Sequence, residues 1–436
     1  MNPNTTFKVK PRNLSMLFSS GLSLCGALAA MAQTVQPWVI VDDIANGKQT
    51  SMSADRAGNV FVAGRVYDGV RTMGSISRGD NQGTTWTTLA IHDDVEIYGA
   101  IAAATIQVAP ASATTPAVTE NHLVAAGYLK ATWVTRRSLD AGAKWETIDS
   151  FPVNLNNPTA YTMISGVSID SAGNCYVVGT AQQSNVLKNK NTVVKRWVIR
   201  KIVKGAPTAG ELGTSTFFLT ETASGSWTQP NGVVCVGKDV FVAGRSADRW
   251  QVRRNTGGGS QWSLVDDFRA DPNYHAEAWG ISAGGDGNLY VAGNAVKNVG
   301  TVASSFWMVR KGTGIGTGTF ETIDTFQPEA NLAALARGIT ADAAGGLHVT
   351  GRANYTVGSR WETHWITRRF TPGSFDRPGS WTITDNFAPP NPVDALAAEG
   401  RNIAVDPSGN VFTSGRSSQD SDGEHNWVVR RQPAAP

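Results

Sequence analysis

Asn288-Leu-Tyr-Val-Ala-Gly293 is one of seven copies of an apolar run closed by a small residue and a glycine. The others are Asn59-Val-Phe-Val-Ala-Gly64, His122-Leu-Val-Ala-Ala-Gly127, Asn174-Cys-Tyr-Val-Val-Gly179, Asp239-Val-Phe-Val-Ala-Gly244, Gly346-Leu-His-Val-Thr-Gly351 and Asn410-Val-Phe-Thr-Ser-Gly415. Six steps carry Gly64 to Gly415, a period of about 58 residues, which is the length of one propeller blade rather than of a helical repeat. Around each run the residues spell four short strands. Strand A ends before a turn such as Ser171-Ala-Gly-Asn174, and strand B is the glycine-closed run. Strand C opens on Trp133, Trp197, Trp250, Trp307, Trp365 or Trp427, with Ser75 in the tryptophan's place in the first unit; strand D carries Asp149, Glu221, Asp266, Asp324 or Asp385. Period-two and β-branched runs punctuated by Gly, Asn and Asp predict an all-β chain.

The ends predict closure. The last unit stops after strand C at Trp427-Val-Val-Arg-Arg431, whereas Trp38-Val-Ile-Val-Asp42 is a strand D with no unit of its own. One supplies what the other lacks, and pairing them removes two open sheet edges. The expectation is a seven-bladed β-propeller of four-stranded antiparallel blades, with the N-terminal strand closing the last blade.

Residues 1–32 read as an export leader. Lys8, Lys10 and Arg12 precede an apolar stretch, and Ala30-Met31-Ala32 forms a cleavage box. The expected domain is therefore 33–436, secreted or periplasmic. The whole chain carries +3; the leader holds three cations and no acid, which leaves the rest neutral. A neutral chain without basic runs has no general field for nucleic acid, and no later apolar run is long enough to insert in a membrane. No cofactor motif is present, and a monomer is expected. Cys175 and Cys235 lie in strand-like runs of neighbouring units; a disulfide and two buried thiols both remain open.

The turn between strands C and D resembles the Asp-box (BNR) repeat of the sialidase-like propeller superfamily. Ser138-Leu-Asp140-Ala-Gly142-Ala-Lys-Trp145 carries the full Ser-x-Asp-x-Gly-x-x-Trp pattern; Ser77 to Trp86 carries it with insertions, and Asn255 to Trp262 without the Asp. The resemblance spans the repeats of the mature chain and implies a scaffold turn on the face opposite the functional one. Sialidases usually have six blades, an Arg-Ile-Pro signature and an arginine triad with a Tyr/Glu pair. Seven blades and no Arg-Ile-Pro mean that their catalytic residues do not carry over.

Chemistry is expected where the units differ, on the face shared by the D-to-A and B-to-C connections. Just before strand A the ring reads Thr50, Ser165, Asn231, Trp279, Arg337 and Arg401, with the second unit too irregular to align. Arg337 and Arg401 suit a substrate carboxylate, and Trp279 a sugar face. Tyr274, His275, Glu277 and Glu399 join them as binding candidates. Glu362 and His364 precede one strand-C tryptophan, and Glu424 and His425 another; these four are the candidates for proton transfer. Arg65, Arg245, Arg352 and Arg416 follow the strand-B glycine and read as partners of the strand-D acids. Asp420-Ser-Asp422-Gly-Glu424 has the oxygen density of a calcium loop without the full EF-hand spacing, and no metal is assigned. The expected activity is engagement of a glycan, with hydrolysis or β-elimination of an acidic polysaccharide as the enzymatic form. A non-catalytic scaffold for a protein or cell-envelope partner is the alternative. An enzyme would join Arg337, Arg401 and the Glu/His pairs in one channel-mouth pocket, and a scaffold would scatter them.

Overall fold

The computed structural model describes residues 37–44, 47–80, 82–110, 117–153, 162–187, 190–205, 214–222, 227–315, 318–374, 378–388, 398–418 and 425–434. Of 43, 44, 49, 182–187, 190–194, 214, 215, 217–222, 418 and 425 it describes the backbone alone. The chain divides into Met1–Val35 and Gln36–Pro436. Residues 1–32, read from the sequence as an export leader, the loop 420–424 with Glu424, and the His425 side chain lie outside the described residues.

Seven four-stranded antiparallel sheets form a seven-bladed propeller, and the described residues contain strands and no helix. Blades one to six span 48–92, 97–152, 162–222, 228–268, 276–326 and 334–387; blade seven takes 398–432 and adds Val39–Ile44 as its outer strand. That first strand pairs with His425–Gln432 from Val39↔Arg431 to Ile44↔Trp427, beginning one residue later and ending two residues later than the sequence reading. Met52, Val60 and Val62 of blade one share an apolar cluster with Ala404, Phe412, Trp427 and Val429 of blade seven, so the ring is closed by packing as well.

Neighbouring blades cover both faces of strand B. This is why it reads as a continuous apolar run and not as an alternation; Val60, Phe61, Val62 and Ala63 are at most 1% exposed. Its terminal glycine is steric. A Cβ at Gly351 would lie 2.0 Å from the Leu335 carbonyl oxygen and 2.8 Å from the Trp307 ring of the preceding blade; Gly179, Gly244 and Gly293 meet Trp133, Trp197 and Trp250 in the same way. The strand-C tryptophan and the strand-B glycine are two halves of one blade-to-blade contact. In blade one the residue in tryptophan register is Gly74, not Ser75, and the buried Tyr98 ring of blade two fills the space.

A second contact repeats beneath it. Arg200, Arg310 and Arg430 on strand C each fork onto the strand-D aspartate of the blade before, Asp149, Asp266 and Asp385, at 2.7–3.0 Å. Arg368 pairs with Asp324 likewise. Each guanidinium also lies over a phenylalanine two residues beyond the acid, Phe151, Phe268, Phe326 or Phe387, at 4.1–4.4 Å. The fixed fork matches the carboxylate, and the ring takes the guanidinium face. These four strand-D acids are thus used by strand C, and Arg245, Arg352 and Arg416 after the strand-B glycine pair elsewhere.

The turns follow from local bonding. Between strands A and B, Asp55, Asp170, Asp342 and Asp406 each accept two backbone N–H groups at 2.7–3.0 Å across an Asx turn. Gly58, Gly173, Gly345 and Gly409 supply its left-handed residue. In the C–D turn of blade two, Asp140 accepts Ser138 Oγ and the Lys144 N–H, both at 2.8 Å, while Trp145 Nε1 donates to the Gly142 carbonyl at 3.0 Å. Blade one repeats the tryptophan bond from Trp86 to Gly83. Cys175 and Cys235 are free thiols, and burial pushes both pKa values up to about 12.

Candidate channel-mouth site

Every strand A carries a one-residue bulge, and the ring aligned from the sequence is the ring of bulged residues. The register shifts fall at Thr50, Ser165, Asn231, Trp279, Arg337 and Arg401, and blade two supplies the missing member, Gly99. They lie inside strand A, not before it. A bulge leaves one residue out of the ladder and re-aims its side chain. The ring is lopsided, with Thr, Gly and Ser in blades one to three and Trp, Arg and Arg in blades five to seven.

Two residues before the bulge, blade seven carries Glu399, whose side chain is 2% exposed. Arg337 Nε donates to its Oε1 at 2.9 Å, with Arg352 Nε at 3.7 Å; Arg401 Nη2 and Arg416 Nε face Oε2 at 3.3 and 3.5 Å. Arg352 and Arg416, read from sequence as partners of strand-D acids, bind this strand-A glutamate instead. Burial opposes the charge of Glu399, but the four guanidiniums overcome it and hold the carboxyl well below its ordinary pKa. The arginines keep 18–30% of their side-chain surface exposed. Four cations on one buried anion leave an excess of positive charge on partly exposed side chains.

Glu277 holds the same place in blade five. Asn231 Nδ2 donates to it at 3.1 Å and Arg245 lies 3.7 Å away. Here burial prevails and raises the pKa, with Asn231, Arg245 and Arg337 acting against it. Arg337 also covers the Trp279 ring at 3.7 Å from its centroid, and Trp279 Nε1 donates to Asn294 at 3.0 Å. One indole face expected to receive a sugar is therefore taken by Arg337.

The structure brings together Arg337, Arg401, Glu399, Trp279 and Glu277. It gives the other candidates different partners. Glu362 and His364 sit within strand C of blade six, Arg360–Thr371, and not in a loop. Glu362 accepts from Arg360 at 2.7 and 3.0 Å; His364 Nδ1 is 2.7 Å from Asn386 and its ring stacks on Tyr355 at 4.5 Å. Tyr274 donates to Asn298 at 3.0 Å, and burial and then Arg245 lower the pKa of His275. Sequence reasoning missed Lys48, two residues before the blade-one bulge and paired across strands with Arg65. The signal that finds it is its alignment with Glu277 and Glu399. Among the described residues no group of His, Cys, Asp and Glu could hold a metal, and no helix is long and apolar enough to cross a membrane.

No protein-family model matches the chain. No curated protein matches it either. Among solved structures it is similar to the α-L-arabinofuranosidase Arb93A of Fusarium graminearum in complex with an iminosugar inhibitor, at 9% identity and a TM-score of 0.45, covering 90% of this chain and 98% of that one. The α-L-arabinanase of Penicillium chrysogenum with arabinobiose aligns at 10% identity and a TM-score of 0.42, over 91% and 98% of the two chains. NanB with Optactamide aligns at 11% and 0.42, over 92% and 70%. The likeness is one of architecture.

Proposed function

We propose that the chain is an exported Asp-box propeller whose channel mouth engages a carboxylate-bearing glycan. The observation that carries the reading is the convergence of Arg337, Arg352, Arg401 and Arg416 on the single buried carboxylate of Glu399. Glu399 holds the guanidiniums in place, and their remaining donors and excess charge suit a uronate carboxylate in a partly dehydrated site. Asn231 and Glu277 supply polar partners for hydroxyl groups. The full Ser138-to-Trp145 pattern, with its Asp140 bonds, supports the Asp-box membership.

The non-catalytic form of this reading is favoured by a specific observation. Glu362 and His364 are engaged by Arg360, Asn386 and Tyr355, and none of these belongs to the arginine cluster. Calorimetric titration of the mature protein with uronic-acid oligosaccharides and neutral ones tests the binding. Arg337→Ala should weaken an acidic ligand by about 2–5 kcal/mol and leave neutral glycans unaffected. Equal affinity for both glycan classes would sink the proposal. Release of reducing ends or of unsaturated, ultraviolet-absorbing products in the same mixtures would overturn the non-catalytic form.

A further inference from the structure

The ring follows one rule at two of its seams and inverts it where the chain closes. Glu277 reaches back to the bulge residue and the strand-B arginine of blade four, Asn231 and Arg245. Glu399 reaches back in the same way to Arg337 and Arg352 of blade six. Blade one presents Lys48 at this position, in register with Arg65, and the blade behind it is blade seven with Arg401 and Arg416. An ammonium stands where the pattern requires a carboxylate, so cations face one another across the seam. Glu399, the acid nearest Arg401, already serves four guanidiniums through two oxygens. Among the described residues no ion pair joins Lys48 or Arg65 to an acid. Lys48 keeps solvent access, yet desolvation and then repulsion from Arg401, Arg65 and Arg416 lower its pKa.

We propose that a tetrahedral oxyanion, a sulfate or phosphate group, binds between Lys48, Arg65 and Arg401 and clasps blade one to blade seven. It supplies the counter-charge that Glu277 and Glu399 supply at the other two seams. A dianion suits three cations arriving from two blades, because its oxygens accept in several directions at once. The seam site shares Arg401 with the glycan reading but does not depend on it: the Arg337→Ala titration tests that reading, and Lys48 tests this one.

The experiment is thermal unfolding of the mature protein in sodium phosphate, sodium sulfate and sodium chloride at matched ionic strength, for the wild type, Lys48→Glu and Lys48→Gln. The wild type should show a saturable rise of about 2–5 °C with the two oxyanions. Lys48→Glu, which restores the carboxylate of the pattern, should melt higher than wild type in chloride and lose the saturable response. Lys48→Gln should keep a response shifted to about tenfold higher concentration. A rise without saturation, of equal slope in all three proteins, is general exclusion of the salts from the surface and would overturn the proposal, as would a Lys48→Glu protein that retains the saturable response. A final arm compares glucose 6-sulfate with inorganic sulfate. Tighter response to the sugar assigns the site to a sulfate ester on a glycan, and tighter response to the ion assigns it to the free anion; absence of response to either overturns it.

Discussion

Glu277 and Glu399 stand at the same position of strand A, two residues before the bulge of blades five and seven, and their surroundings drive them in opposite directions. Glu399 faces four arginines and is held in its charged form; Glu277 faces Asn231 and one arginine at 3.7 Å, and burial favours its protonated form. The backbone makes the two sites alike, and the neighbours make them unlike.

Glu399→Gln should destabilise the protein at pH 7 by about 3 kcal/mol, the lower end for breaking a buried pair, since its arginines keep some access to water. Because the folded-state pKa lies below the ordinary 4.5, the stabilisation is complete above that value and is lost as the pH falls through the folded one. Urea unfolding across pH 7 to 3 should show the gap between wild type and variant narrowing at the acid end. A gap that widens on acidification would contradict the assignment.

Glu277→Gln should behave oppositely. A raised folded pKa means that the folded state holds its proton more tightly, so stability falls as the pH rises above the ordinary 4.5 through the raised value. The amide removes that loss and its oxygen can still accept from Asn231. The variant should equal or exceed wild-type stability at pH 7 and lose the advantage near pH 4. Denaturation midpoints at the two pH values decide it.

Gly351→Ala should cost more than about 2 kcal/mol although its backbone torsions suit any residue. The added carbon would lie 2.0 Å from the Leu335 carbonyl and 2.8 Å from Trp307. A control at Gly358, where nothing lies within 4 Å but φ is +64°, should show only the smaller conformational penalty of about 1 kcal/mol. Equal losses at both sites would place the glycine requirement in torsion rather than in packing.

Removing residues 33–45 deletes the outer strand of blade seven and leaves His425–Gln432 as an open edge. The shortened protein should melt earlier and form larger species on size exclusion, because an unpaired strand recruits other chains. An unchanged melting temperature and elution volume would contradict closure through this strand.

Much of the architecture was legible because it repeats. The Asn288–Gly293 run and its six relatives gave blade count and strand order, and the missing strand D after Trp427 matched the extra one at Val39. The aligned column Thr50, Ser165, Asn231, Trp279, Arg337, Arg401 proved to be the bulge ring, although nothing in the letters marks a bulge. Partners were less legible. Arg352 and Arg416 recur like scaffold residues, and Glu399 looks like one more acid before a strand.

The sequence by itself determined the blade and the turns, which depend on contacts between residues near in the chain or repeated at a fixed interval, and the closure, which shows as a strand D lacking after Trp427 and spare at Val39. Only the tertiary structure decided that Arg337, Arg352, Arg401 and Arg416 meet on Glu399, that Trp279 is covered by Arg337, and that Lys48 faces blade seven. The arginines, Glu399 and Trp279 come from blades that follow one another in the chain, Lys48 comes from the blade at its other end, and all are joined by the curvature of a closed ring. No local preference records that curvature. At four seams it is set where the tryptophan of one blade settles against the strand-B glycine of the next, and this packing of large against small brings the charges of neighbouring blades together.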